Sequence, residues 1–157
     1  MSVLLFELQL IIRRIENKKK YDILYDFVEK NIDRITAIED ETELRKIIKI
    51  IMYYTNGSNY YWLKNEKIKD NPIIISEIMQ YIMDNDLYKI SSLSYTDILE
   101  NIDFKFFSKE FCHCFLEKNL NPIDTLEILS IMHKLDKNSY KILKEKYIKS
   151  IFSSINS

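Results

Sequence analysis

The chain has 157 residues, a length that suits one compact domain, and we predict a single domain over residues 1–157. Hydrophobic residues make up 46% and charged residues 30%, which argues against disorder. The net charge of −1 gives no general attraction to nucleic acid or acidic membranes, so such binding would need a local patch. Abundant isoleucine, lysine and asparagine indicate an AT-rich genome, of viral, protozoan or low-GC bacterial origin.

Glycine and proline are scarce, with Gly57 the single glycine and Pro72 and Pro122 the only prolines. Hairpins, phosphate loops and nucleophile elbows need backbone angles that glycine adopts most easily. The composition therefore argues against β-sandwiches, barrels and nucleotide-binding α/β folds. We predict an all-α domain of about seven or eight short amphipathic helices, arranged as a globular bundle or as stacked helix pairs.

Three helices are predicted in the first third of the chain from apolar residues spaced three and four apart. The third should begin at the acidic run Glu39–Thr42 and end near Gly57. The apolar stripes are Leu4, Leu5, Leu8, Ile11, Ile12 and Ile15; Tyr21, Leu24, Tyr25, Phe27, Val28, Ile32 and Ile35; and Leu44, Ile47, Ile48, Ile51 and Met52.

Two later helices share a start signal, Asn71-Pro72-Ile73 and Asn121-Pro122-Ile123. Asparagine is a good N-cap, and proline at the first helical position loses no needed hydrogen bond. Further matches follow each start, including Glu77-Ile78 and Glu127-Ile128. They indicate either an internal repeat of about fifty residues or chance similarity in a biased composition.

The remaining helices are predicted around the second Asn-Pro start. Ser94–Asp97 should lead a short helix. An aromatic stripe follows at Phe104, Phe107, Phe111, Cys114 and Phe115, and the last helix carries Tyr140, Leu143, Tyr147, Ile148, Ile151 and Phe152.

The one metal-like cluster is Cys112-His113-Cys114, with His133 further along. Cysteines separated by one residue point to opposite sides of a helix, whereas zinc needs four convergent ligands. We interpret Cys114 as a core residue in the aromatic stripe, and we predict no metal, cofactor or catalytic residue.

Cysteine usage also bears on location. Cys112 and Cys114 are too close for an ordinary structural disulfide, which favours a reducing intracellular compartment such as the cytoplasm. The apolar run Val3–Ile12 contains Glu7 and is too short to span a bilayer. It is amphipathic and precedes Arg13 and Arg14, so import into an organelle stays open.

The candidate partner-binding residues surround Gly57. They are Tyr53, Tyr54, Tyr60, Tyr61, Trp62, Lys64 and Lys67, a set that places amphipathic rings near cations. Such residues grip a protein partner or stack on bases. The alternative is that Tyr53, Tyr61 and Trp62 fold inward over the core. A second basic patch combines Arg13 and Arg14 with Lys18–Lys20.

Two family resemblances concern architecture. Residues 107–155, with the stretch Asn-Pro-Ile-Asp-Thr-Leu-Glu-Ile-Leu-Ser-Ile-Met-His-Lys-Leu, resemble the helical repeats of organellar RNA-associated proteins in protozoa. The chain's size, helix count and composition are similar to those of the poxviral Bcl-2-like proteins, which bind host factors through a helical groove. Neither family's diagnostic residues match position by position, so no site is carried over.

These features predict a non-enzymatic protein that binds a macromolecular partner, a protein above all, through a groove between helices. An adaptor or inhibitor of the viral Bcl-2-like kind would fit. The alternative is a helical-repeat subunit of a ribonucleoprotein or organellar complex that contacts RNA through local basic patches.

Overall fold

The structure is a computed structural model that describes residues 2–18, 22–55, 65–85, 100–118 and 120–155. Helices account for most of these residues and none of them forms a strand, so the all-α prediction is confirmed. The chain divides into two compact units, Met1–Ser94 and Tyr95–Ser157. The single domain over residues 1–157 stays a prediction.

Unit 1 contains five described helices. They are α1 Val3–Lys18, α2 Asp22–Thr36, α3 Glu41–Thr55, α4 Glu66–Lys69 and α5 Pro72–Asp84. Helices α1, α2 and α3 pack against one another, α5 lies against α3, and α4 contacts α2 and α5. The three predicted apolar stripes supply most of the core, whereas α4 lacked a sequence signal that we recognised.

Helix α2 bends at Asn31, whose backbone angles (φ −118°, ψ 15°) are not helical. The Asn31 side chain explains the bend, because its Nδ2 donates to the Phe27 carbonyl at 2.7 Å and competes with the backbone ladder. Val28 and Ile35, on either side of the bend, are both buried. The helix therefore changes direction while it stays packed.

In its described residues, unit 2 contains two helical residues, Glu100 and Asn101, a 3₁₀ turn, Phe104–Phe106, and three longer helices. The helices are α6 Lys109–Leu116, α7 Pro122–Leu135 and α8 Lys137–Ile155. Helix α7 packs against both α6 and α8. The predicted helix at Ser94–Asp97 and the predicted helix end at Gly57 lie outside the described residues.

The aromatic stripe of unit 2 is interrupted, which corrects one sequence interpretation. Ser108 caps α6 through a 3.1 Å hydrogen bond from the Phe111 amide, so Phe104 and Phe107 precede the helix. The face buried by α6 then contains Phe111, Cys112, Phe115 and Leu116. Cys112 is the buried cysteine, while Cys114, which we had interpreted as a core residue, is half-exposed.

Both Asn-Pro helix starts are confirmed. Asn71 Oδ1 accepts hydrogen bonds of 3.1 Å from the amides of Ile73 and Ile74. Asn121 Oδ1 accepts one of 2.8 Å from the Asp124 amide, and its Nδ2 donates to Asp124 Oδ2 at 2.7 Å. These bonds satisfy first-turn N–H groups that lack partners within the helix.

The two Asn-Pro helices also bury equivalent faces. Counted from the cap, five of the six buried positions of α5 coincide with buried positions of α7. The coinciding pairs are Ile74 and Asp124, Ile75 and Thr125, Ile78 and Ile128, Met79 and Leu129, and Ile82 and Met132. A shared cap does not dictate which face is buried, so this agreement favours the internal repeat over chance.

We expect Asn71→Ala and Asn121→Ala each to lower the free energy of unfolding by about 1 kcal/mol, because each leaves first-turn amides without an acceptor. Asn71→Ser and Asn121→Ser should retain most of the stability that the asparagine cap provides, because serine is also a good N-cap. Urea denaturation followed by circular dichroism measures the change. Asn138→Ala, at an exposed position within α8, is the matched control, and an equal loss there would contradict the capping role.

Candidate interaction grooves

The first groove, groove 1, lies in unit 1 between α3 and α5 and encloses about 430 Å³. Its lining residues are Lys49, Met52, Tyr53, Glu77, Gln80, Tyr81, Asp84 and Asn85. Met52 is buried, whereas the side chain of Tyr53 is 68% exposed. Burial raises the pKa of the Tyr81 phenol.

The carboxylate of Glu77 is the buried charge of groove 1, since only 7% of this residue is exposed. It pairs with Arg45 of α3, with Nη1 and Oε1 3.0 Å apart. Arg45 also bonds to Glu41 Oε1 at 2.9 Å, and the Glu77 and Glu41 hydrogen bonds raise the pKa of the guanidinium. The pair joins α3 to α5 and compensates a charge that would otherwise be costly to bury.

Arg45→Met should destabilise the protein, because it leaves the buried Glu77 carboxylate without its donor. We expect a loss of about 1–3 kcal/mol in the free energy of unfolding, toward the lower value because Arg45 is one-third exposed. The double variant Arg45→Met/Glu77→Met should recover most of the lost stability, since no charge then stays buried.

Urea denaturation measures both variants of the pair. Arg34→Met is the matched control, because its 2.8 Å ion pair with Glu7 is exposed on both sides and should contribute only about 0–1 kcal/mol. A double variant that is less stable than Arg45→Met would contradict the buried-charge explanation.

The predicted partner-binding residues make different contacts. Tyr53 lines groove 1, so the interpretation that it folds inward is wrong. The Tyr54 hydroxyl donates to Glu16 Oε1 of α1 at 2.7 Å, and Lys67 Nζ pairs with Asp33 Oδ1 of α2 at 2.7 Å. Tyr60, Tyr61, Trp62 and Lys64 lie outside the described residues.

The second groove, groove 2, lies in unit 2 between the 3₁₀ turn and α7 and encloses about 480 Å³. Buried Phe107 and Ile131 form its floor, and Phe104 and Leu135, each 44% exposed, flank them. The polar lining residues are Lys105, Glu127, Ser130 and Lys134. None of these eight residues was among the predicted site residues.

The two grooves use the same positions of their Asn-Pro helices. Groove 1 is lined by α5 residues 77, 80, 81 and 84 with the C-cap residue 85, and groove 2 by α7 residues 127, 130, 131, 134 and 135. Each pair is fifty residues apart in the chain. The side chains differ in chemistry, because Tyr81 and Asp84 correspond to Ile131 and Lys134.

A sequence signal for these positions existed. The residues 77, 80, 81 and 84 recur at three- and four-residue spacing beside the apolar stripe of the same helix, and so form its neighbouring face. What the pattern of one helix does not show is which other element lies opposite that face.

The two cysteines of the cluster differ in burial. Burial raises the pKa of the Cys112 thiol to about 12, with the nearby Glu110 carboxylate a smaller cause. Among the residues that the structure describes, no three His, Cys, Asp or Glu side chains come together in a way that could hold a metal ion. No helix in the same part of the chain is long and apolar enough to cross a membrane.

We expect Cys112 to resist alkylation in the folded protein, because with a pKa of about 12 only about one thiol in ten thousand is ionised at pH 8. Iodoacetamide labelling at that pH, read by mass spectrometry of the digested protein, should modify the half-exposed Cys114 first. Unfolding in urea should abolish the difference. Equal labelling of both cysteines in the folded state would contradict the buried position of Cys112.

Comparisons with protein families, curated proteins and solved structures find no match to this chain. The two architectural resemblances therefore gain no support from them.

Proposed function

We propose that the chain is a non-enzymatic interaction protein that binds an amphipathic helical segment of a protein partner in groove 2. The observation that carries this proposal is the exposure of Phe104 and Leu135 beside a buried apolar floor. A concave surface with apolar side chains accepts an apolar anchor, because removing such area from water stabilises the complex by about 25 cal/mol per Å² before the costs of association.

The exposed apolar surface of α7 extends beyond groove 2. Ile123, 70% exposed, lies one helical turn before Glu127 on the same face, and Leu126 is 50% exposed. Contiguous exposed apolar residues mark interaction surfaces more often than isolated ones do. A partner helix with anchors one and two turns apart would cover both the groove and Ile123.

Charge gives the partner a second property. The rim of groove 2 carries Lys105 and Lys134 against a single carboxylate, Glu127. An acidic residue next to the apolar anchor would complement the two ammonium groups, and complementary rim charges chiefly increase the association rate. The proposed partner is therefore an amphipathic helix with an acidic flank, as expected of an adaptor or inhibitor.

The alternative function, a helical-repeat subunit of a ribonucleoprotein, is favoured by the matching faces of α5 and α7, since stacked repeats present equivalent surfaces. The contact of Lys67 with Asp33 counts against it, because that pair neutralises a cation expected to meet phosphate. An RNA role would depend on Arg13 and Arg14, which are exposed on α1.

Selection of binders from a displayed random-peptide library tests the proposed function. We expect the selected peptides to share an apolar anchor and an acidic neighbour, and Leu135→Glu to weaken their binding at least about tenfold, because it places a charge where the anchor packs. The separate variant Lys134→Glu should also weaken peptide binding, because its carboxylate repels the acidic residue next to the anchor.

Ile142→Glu is the matched control, because Ile142 of α8 is 71% exposed and does not line groove 2. Selected peptides that bind the Leu135→Glu variant as tightly as the unaltered protein would overturn the proposal. Tight binding of single-stranded RNA that falls steeply with salt, and is lost in Arg13→Glu/Arg14→Glu, would favour the ribonucleoprotein alternative instead.

A further inference from the structure

Groove 1 has a chemistry unlike that of groove 2, because its lining carries two phenols, Tyr53 and Tyr81, and two carboxylates, Glu77 and Asp84. We propose that groove 1 binds a guanidinium group, the arginine side chain of a partner polypeptide, between Tyr53 and Tyr81 and against Glu77. This site is separate from groove 2 and does not depend on the function proposed for that groove.

The second carboxylate oxygen of Glu77 carries the proposal. Oε1 accepts from Arg45, but within the described part of the chain no residue donates a hydrogen bond to Oε2. Glu77 is more than nine-tenths buried, and its side chain lines groove 1. A buried carboxylate oxygen gains from a donor, and the groove is the side from which a ligand would supply one.

The rings of groove 1 suit a flat cation. Tyr53 and Tyr81 both line the groove, and Tyr53 is 68% exposed although its ring makes a T-shaped contact with the Tyr54 ring, with the centroids 5.0 Å apart. A guanidinium stacks on aromatic faces and presents several donors in one plane, whereas an ammonium is more strongly hydrated and does not stack in this way. The stack and the carboxylate therefore favour arginine over lysine.

The charged side chains around groove 1 have a net negative charge that one cation would balance. Glu41, Glu77 and Asp84 are negative, while Arg45 and Lys49 are positive. These five side chains carry a net charge of −1, which one guanidinium would neutralise. Gln80 already donates to Asp84 Oδ1 at 2.9 Å, so Asp84 contributes mainly through its charge.

Lys49 provides a test of whether the ligand of groove 1 is a cation or an anion. Lys49 is a lining residue of groove 1, and among the described residues the ion pair of the Glu77 carboxylate is with Arg45 and not with Lys49. Because like charges repel, Lys49 should weaken the binding of a cation and strengthen that of an anion. Replacing it with the neutral Met distinguishes the two kinds of ligand.

The experiment titrates the full chain with N-acetyl-arginine amide and follows the ring resonances of Tyr53 and Tyr81 by NMR. N-acetyl-citrulline amide is the matched probe, since it keeps the shape and loses the charge. We expect saturable shifts with the arginine probe, much smaller shifts with citrulline, at least about tenfold weaker binding in Glu77→Gln, and tighter binding in Lys49→Met. Glu66→Gln, which removes an exposed carboxylate of α4, should bind like the unaltered protein.

Three results would overturn the proposal: equal binding of the two probes, no shift with either probe at about 50 mM, or weaker arginine binding in Lys49→Met. If circular dichroism shows that Glu77→Gln does not fold, the Lys49→Met and Tyr53→Leu variants test the proposal. Tyr53→Leu should weaken arginine binding, because it removes the stacking ring. Leu135→Glu should leave arginine binding unchanged, so failure here is distinguishable from failure of the groove 2 proposal.

Discussion

The asparagine cap followed by proline is the constraint on which the functional surfaces of this protein depend. Asn71 and Asn121 satisfy first-turn amides, and the following prolines place each helix start at a defined residue. Once the start is defined, the helical period decides which side chains share a face. On α5 and α7 the start sets which residues share a face, and packing against the neighbouring elements decides which face is buried and which lines a groove.

The two grooves differ mainly in the side chains on equivalent scaffold positions. On α5 the groove positions carry carboxylate, amide and phenol groups, and on α7 they carry two apolar side chains, Ile131 and Leu135, with Glu127, Ser130 and Lys134. The buried Glu77 is possible because Arg45 lies opposite on α3, whereas its counterpart Glu127 is exposed to solvent and needs no such partner. A single architecture can thus present two surfaces of different chemistry.

The sequence predicted helices better than it predicted surfaces. Apolar spacing and capping chemistry are local, so they located α1, α2, α3, α5, α7 and α8. A contact between residues far apart in the sequence leaves no local pattern, so neither the α3 segment nor the α5 segment alone indicates that Arg45 contacts Glu77. For Tyr53 two sequence signals disagree. Its position opposite the apolar stripe of α3 predicts exposure, whereas the size of its aromatic ring favours burial. The short α4 has too few residues to show a period.

The separation of core and groove positions on α7 has a consequence for evolution. The residues that hold α7 in place, such as Ile128 and Met132, are almost completely buried, while Glu127, Ser130 and Lys134 are exposed. Substitutions at the exposed positions can alter what the surface recognises with little effect on folding. A lineage under pressure to follow a changing partner could therefore diversify these positions rapidly while it conserved the helix beneath them.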